Sequence, residues 1–331
     1  MHSAPEAGWD RIETLRRDGE FVLSRGLGGR SNGTVLMLAA AAEQPSPHSI
    51  ERLKHEYALR EWLDPTWAAR PRALVEEHGR TLLLLDDPGA EPLSRRLGRP
   101  MDIEAFLRVA IGIATALARM HAHGLIHKDV KPDHVLVDAA SGAAWLTGFG
   151  FASRLARERQ APDAPEMIAG TLAYMAPEQT GRMNRSVDAR SDLYALGVTL
   201  YQMLTGELPF TAADSMELVH SHIARSALPP SERVAGVPPA IDALVMKLLA
   251  KTPEERYQTA AGVAADLKRC LALYQASGGG VEAFPLGAQD VPDVLRIPEK
   301  LYGREREVGA LLGAFERVVS QGTSELVLVA G

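Results

Sequence analysis

The sequence predicts an α+β fold in two parts, a small antiparallel sheet of five strands carrying one helix, then a larger, mainly helical part. Three observations lead there. Short apolar runs separated by turn residues continue to Pro88-Gly89, long runs of helical period begin at Met101, and a short strand pair flanks Ala140-Ser141-Gly142.

The first strands are expected at Arg11 to Leu15, Glu20 to Gly26 and Thr34 to Leu38, with turn signals in "RRDG" and "GGRSNG" between them. A helix follows from a cap at Ser49, with Ile50, Leu53, Tyr57 and Leu63 on one face, and two further strands cover "ALVEEH" and "RTLLLLDD". In the second part, Asp102 is placed to cap a long helix and Gly124 to end it in a left-handed turn. The loop "LIHKDVKPDHVLVD" then leads into the hairpin, and four more helical runs lie at Val187 to Gly206, Ser215 to Arg225, Ala240 to Leu249 and Thr259 to Ala276. "SGGG" at Ser277 to Gly280, with prolines after it, reads as a linker.

Composition narrows the function classes. The 331 residues carry a formal net charge of −6 with mixed signs, unlike the basic stripe that nucleic acid attracts. The single cysteine, Cys270, excludes a disulfide framework and suits a reducing, cytoplasmic setting. No apolar run is long enough for a bilayer span, so no membrane association is expected.

Several motifs fall in one order. "HKD" at His127 to Asp129 precedes the hairpin, "GTLAYMAPEQ" spans Gly170 to Gln179, "SDLYALGVTLYQMLTGELPF" spans Ser191 to Phe210, and "PEERYQT" spans Pro253 to Thr259. Together they resemble the eukaryotic-type protein kinase domain, whose fold is bilobal. Lys131 and Thr171 match its serine/threonine branch. The wording is most similar to kinase-like domains at the N-terminus of large bacterial signalling proteins, where a P-loop ATPase follows. The resemblance implies a flexible tail at 1–8, a kinase-like domain at 9–276 (N-lobe 9–88, C-lobe 92–276), a linker at 277–297, and at 298–331 the start of a truncated P-loop ATPase-like domain. That last expectation rests on "SELVLVAG", which resembles the strand running into a phosphate-binding glycine loop.

The resemblance implies ATP and Mg²⁺ as cofactors, and these residues bear on whether they bind. Phosphoryl transfer is positioning and charge neutralisation: a third-strand lysine holds phosphates, two oxygen ligands hold metal, and an aspartate accepts the acceptor proton. Asp129 stands at the proton-accepting position, with Lys131 as its phosphate contact. Leu38 occupies the lysine position, and no lysine precedes Lys54. Glu56 stands where a helix glutamate would pair with that lysine; without it, a solvated face or another cation is expected. The "DFG" aspartate has become Gly148 and the catalytic-loop asparagine His134, so no metal ligand is assigned, Asp133 and Asp138 being conceivable relocations.

Gly19 is the single glycine of the true phosphate-loop position, "RRDGEF", where Arg16 or Arg17 offers charge, and Leu136 completes the nucleotide-site positions. The run Gly26 to Gly33 is a decoy, the turn of the second hairpin. Structural roles are implied for His127, Phe149, Asp192, and the pair Glu178 and Arg256; His121 and His123 are expected to face solvent. The sum is a serine/threonine kinase-like domain, catalytically impaired, acting by docking protein partners or downstream ATPase or sensor domains. The alternative is an active kinase using Asp129 as base with non-standard ligands.

Overall fold

A computed structural model of the chain describes residues 11–27, 33–77, 79–154, 172–183 and 185–292, with positions 310, 313, 314, 317 and 324 beyond. The expected tail at 1–8, Thr171, and most of the glycine run lie outside the described residues. Contacts divide the chain at Pro292, and the expected ATPase start falls in the unit Asp293–Gly331, nearly all of it outside the described residues.

Alternation builds the N-lobe. Strands β1 (Arg11–Arg17), β2 (Phe21–Leu27), β3 (Thr34–Ala40), β4 (Pro71–Glu77) and β5 (Arg80–Asp86) form one antiparallel sheet in the order β1-β2-β3-β5-β4. In β2 and β3, Phe21, Leu23, Leu36 and Leu38 are buried and meet Leu83 and Leu85 of β5 in one apolar cluster. The glycine run lies between β2 and β3, as its decoy reading requires, and Asp18 to Glu20 join β1 to β2.

Helix α1 (Pro47–Ala58) starts earlier than expected. Ser46, not Ser49, is the N-cap, and its hydroxyl accepts from the Ser49 N–H at 3.1 Å. Pro47 explains the shift, because a fixed φ and a missing N–H suit the first helical turn. The helix ends at Ala58, so Leu63 is buried beyond it rather than on its face.

The C-lobe begins with β6 (Glu91–Pro92), and α2 (Ile103–Ala122) is capped by Asp102 through the N–H groups of Glu104 and Ala105. Gly124 follows with φ of 72°, the left-handed stop its sequence position implies. Strands β7 (Val135–Val137) and β8 (Ala144–Leu146) close the predicted hairpin and join β6 in a second small sheet. Helices α3 (Ala189–Thr205), α4 (Ser215–Ala224), α5 (Pro230–Arg233), α6 (Pro239–Leu248) and α7 (Ala260–Ser277) complete the lobe around one large core.

Residues 281–290, which the sequence assigns to a linker, pack back onto this lobe. Val281 is buried, and Asp290 accepts from the N–H groups of Gln258 and Thr259 at 2.6 and 2.8 Å. Among the described residues, no helix is long and apolar enough to cross a membrane.

Candidate active site

The loop 125–134 is fixed from below. Both carboxylate oxygens of Asp192 accept backbone N–H groups, from His127 at 2.9 Å and Lys128 at 2.8 Å. His121 is not solvent-facing: the last turn of α2 brings its Nε2 to 2.9 Å from Asp192 Oδ2. His123 is exposed, its Nδ1 2.8 Å from the Arg119 carbonyl oxygen.

His127 is fully buried. Its Nδ1 accepts the Asp129 N–H at 3.2 Å, which assigns the ring proton to Nε2, where it donates to the Thr147 carbonyl at 2.9 Å. Burial holds the ring below its ordinary pKa, so it is neutral and architectural. Phe149 packs on it, ring centroids 5.0 Å apart, and edge-on against Trp67.

The substrate-side loop is anchored by Glu178 and Arg256, both buried, in a bidentate pair at 2.7 and 2.9 Å. Arg256 also donates to the carbonyls of Arg190, Ala250 and Lys251, so all five of its N–H groups are used. Such complete satisfaction is what a desolvated ion pair needs.

Asp129 is 1% exposed and ringed by cations and an imidazole. Lys131 Nζ lies 3.7 Å from Oδ2, Arg52 Nη2 lies 3.8 Å away, and His134 Nδ1 lies 3.4 Å away. Arg52 comes from α1, one turn before Glu56, and was not predicted. Its signal is the i, i+4 spacing that puts both on one helix face.

Glu56 is buried rather than solvated, at 2% exposed, and Oε1 finds no hydrogen-bond partner. Burial pushes its carboxyl up to about 7, against the pull of the Phe149 N–H, Arg16, the Gly148 N–H and Arg52. Lys54 points outward to Glu51.

Leu38 is buried in the apolar cluster of the N-lobe, and Leu136 of β7 enters the same cluster fully buried, beside Phe21, Leu36 and Ala90. A small cleft is lined by Arg16, Phe21, Leu38, Arg52, Glu56 and His134, with Gly148 among its remaining walls.

Gly148 has φ of 75°, and a Cβ built there would lie 2.6 to 2.7 Å from His134 Cδ2, Cγ and Nε2. The imidazole therefore occupies the room of a side chain at 148. His134 Nδ1 is held 2.8 Å from the Asp129 carbonyl oxygen, and burial, Lys131 and Arg16 keep its pKa well below the ordinary value, so it is neutral. Asp138 is engaged by its own hairpin turn, through the Ala140 N–H and the Ser141 hydroxyl. Neither it nor Asp133 lines the cleft, and among the described residues no group of three His, Cys, Asp or Glu is arranged to hold a metal ion.

The β1–β2 turn is also self-satisfied. Asp18 Oδ1 accepts the N–H groups of Glu20 and Phe21 at 2.9 and 2.6 Å, an Asx turn that takes the amides a phosphate would need. Gly19 has nothing within 4 Å of a built Cβ, so no close backbone approach depends on it here. Arg16 turns inward and is buried, paired with Asp18.

Comparison with known proteins agrees with this architecture. The family model described as "Protein kinase domain" matches residues 67–267, which leaves β1 to β3 and α1 outside the match. Serine/threonine-protein kinase PknB of Mycobacterium tuberculosis is 41% identical over 51% of this chain and 27% of its own length. Serine/threonine-protein kinase Pkn1 of Myxococcus xanthus is 37% identical over 58% of this chain and 28% of its own. Hybrid signal transduction histidine kinase G of Dictyostelium discoideum is 28% identical over 70% of this chain and 9% of its own. The chain thus spans little more than a quarter of the length of the two serine/threonine kinases. With the two-lobed fold, the Asp192-anchored loop and the Glu178–Arg256 pair, the matched stretch assigns the chain to the protein kinase domain family, on its eukaryotic-type serine/threonine side.

Proposed function

We propose that this domain is a pseudokinase, a serine/threonine kinase fold that serves as a regulatory or docking module instead of transferring phosphate. The observation that carries the reading is the His134 imidazole standing where a side chain at 148 would project. A metal-ligating carboxylate there has no space. Glycine supplies no oxygen, and a neutral imidazole suits a small hard cation poorly. The residues of the cleft do not fit Mg²⁺, and no catalytic step is derived through it.

Two further features support the same reading. Leu38 puts no charge beside the buried Glu56, and Asp18 uses the turn amides. The partners in this reading are proteins, or ATPase or sensor units of the same or a larger assembly. The domain's small share of its relatives' lengths is in keeping with a module of a longer signalling protein; a cytoplasmic setting is part of the proposal.

One observation favours the rival reading of an active kinase. Asp129 and Lys131 keep their types and lie 3.7 Å apart, and PknB and Pkn1 are named as kinases. Equilibrium binding of a fluorescent ATP analogue, with and without Mg²⁺, separates the two. The pseudokinase reading expects no binding, or weak binding that Mg²⁺ leaves unchanged. Micromolar binding that tightens with Mg²⁺, with phosphate transfer lost in Asp129→Asn, would establish the rival.

A further inference from the structure

We propose that this domain holds its two lobes closed without nucleotide, through a clasp of side chains centred on Arg52. The inference rests on the non-catalytic reading of the cleft. In a working kinase, the phosphates and metal form the polar bridge between the phosphate loop and the catalytic loop. Here a side chain of the protein spans the same gap.

Arg52 touches four elements at once. Its Nη1 pairs with Glu20 in the β1–β2 turn, and its Nη2 lies 3.8 Å from Asp129 of the catalytic loop. Its guanidinium carbon stands 3.7 Å from the Phe151 ring centroid and 5.0 Å from that of Phe21. Gly150 makes the approach possible, because a Cβ there would lie 3.1 Å from Arg52 Nε and 3.2 Å from its Cβ. The side chain is 11% exposed, so bulk salt screens these contacts little.

Three further residues reinforce the contact. One turn along α1, His55 Nε2 is 2.7 Å from the Ala152 carbonyl oxygen, just past the same 149–151 turn. On the opposite side, Arg95 reaches back from the C-lobe to the carbonyls of Leu15 and Thr14 in β1, at 2.7 and 2.6 Å. Arg25 of β2 meanwhile bonds Asp87, the Ala90 carbonyl and Glu91 in the segment joining the lobes. Cation–carboxylate and cation–aromatic contacts of this kind are individually modest, but partial burial and shared partners strengthen them.

Hydrogen exchange on the full chain, followed by mass spectrometry, tests the clasp. Arg52→Met keeps the side-chain length and removes the charge. It is expected to raise exchange at Phe149 to Ala152 and at Glu20 and Phe21 by about tenfold, with the amides of α3 unchanged. Glu20→Gln weakens the clasp from its exposed end and is expected to move the same amides, less strongly; it replaces Arg52→Met if that variant does not fold. Exchange within twofold of wild type at those amides in the folded variant overturns the clasp. Slower exchange in wild type on adding Mg·ATP overturns instead the non-catalytic reading of the cleft, so the two failures are told apart.

Discussion

Restoring an aspartate at 148 in one step is expected to damage the protein, and the structure says by how much. A Cβ at that position would sit 2.6 to 2.7 Å from three atoms of the His134 ring, inside any real contact distance. The backbone there is left-handed, with φ of 75°. Left-handed backbone costs an L residue about 1–2 kcal/mol, and overpacking costs about 1–3 kcal/mol. Gly148→Asp should therefore destabilise by about 2–5 kcal/mol, a large fraction of the 5–15 kcal/mol that typical domains possess.

His134→Asn removes the ring and should cost about 1–3 kcal/mol alone, as its bond to the Asp129 carbonyl and its packing are lost. In the double variant the clash has no second party, so only the backbone term of the aspartate remains. A double-mutant cycle by urea denaturation should then give a favourable coupling of about 1–3 kcal/mol between the two sites. Additivity within about 0.5 kcal/mol would refute the reasoning, because the imidazole would then not be what occupies the aspartate's place.

Other expectations follow from the same geometry. Glu56 has a folded pKa of about 7, above its ordinary 4.5, so the folded state binds more protons between those values. Its contribution is full below about pH 4.5 and lost as pH rises through 7, up to about 3 kcal/mol from the shift; Glu56→Gln should flatten stability across that window, measured by thermal melts at several pH values. Arg256→Met strands the Glu178 carboxylate in the core and should cost about 3–5 kcal/mol in denaturant titrations. Leu38→Lys returns the missing cation among leucines, yet with His134 and Gly148 unchanged it should yield no Mg²⁺-dependent ATP binding by fluorescence titration.

Much of this was legible because it is local or periodic. The strands followed from alternation, and α2 from its cap and glycine stop. The Asx turn at Asp18 was equally readable, since an aspartate two and three residues before its N–H partners is a local signature. What escaped depends on distant faces meeting. Glu56 reads as a solvated carboxylate because periodicity gives a helix its faces without saying what covers them; β3 and the 149–151 turn cover this one. His121 and Asp192 lie 71 residues apart, and Arg52 and Asp129 are joined only when the lobes fold against each other. Asp290 docks on Gln258 and Thr259 from a segment whose glycines and prolines signal a free tether.

The cleft is informative because each changed position is matched by a neighbour. Gly148 is covered by the His134 ring, and Leu38 joins the leucines of β2 and β5. The turn amides bond Asp18, and Asp129 faces Arg52. A site that had lost single residues at random would keep cavities and unpaired charges, each costing stability at the position of loss. Here the unsatisfied side-chain atoms among Arg16, Arg52 and Glu56 are the two arginine Nε donors and Glu56 Oε1, while Leu38, His134 and Gly148 are packed. Reverting any one position to a phosphate-handling residue therefore works against a neighbour that has taken its room. If the cleft is non-catalytic as proposed, nucleotide chemistry there would require several coordinated changes, with His134 and Gly148 changed together before Leu38 or the turn can matter.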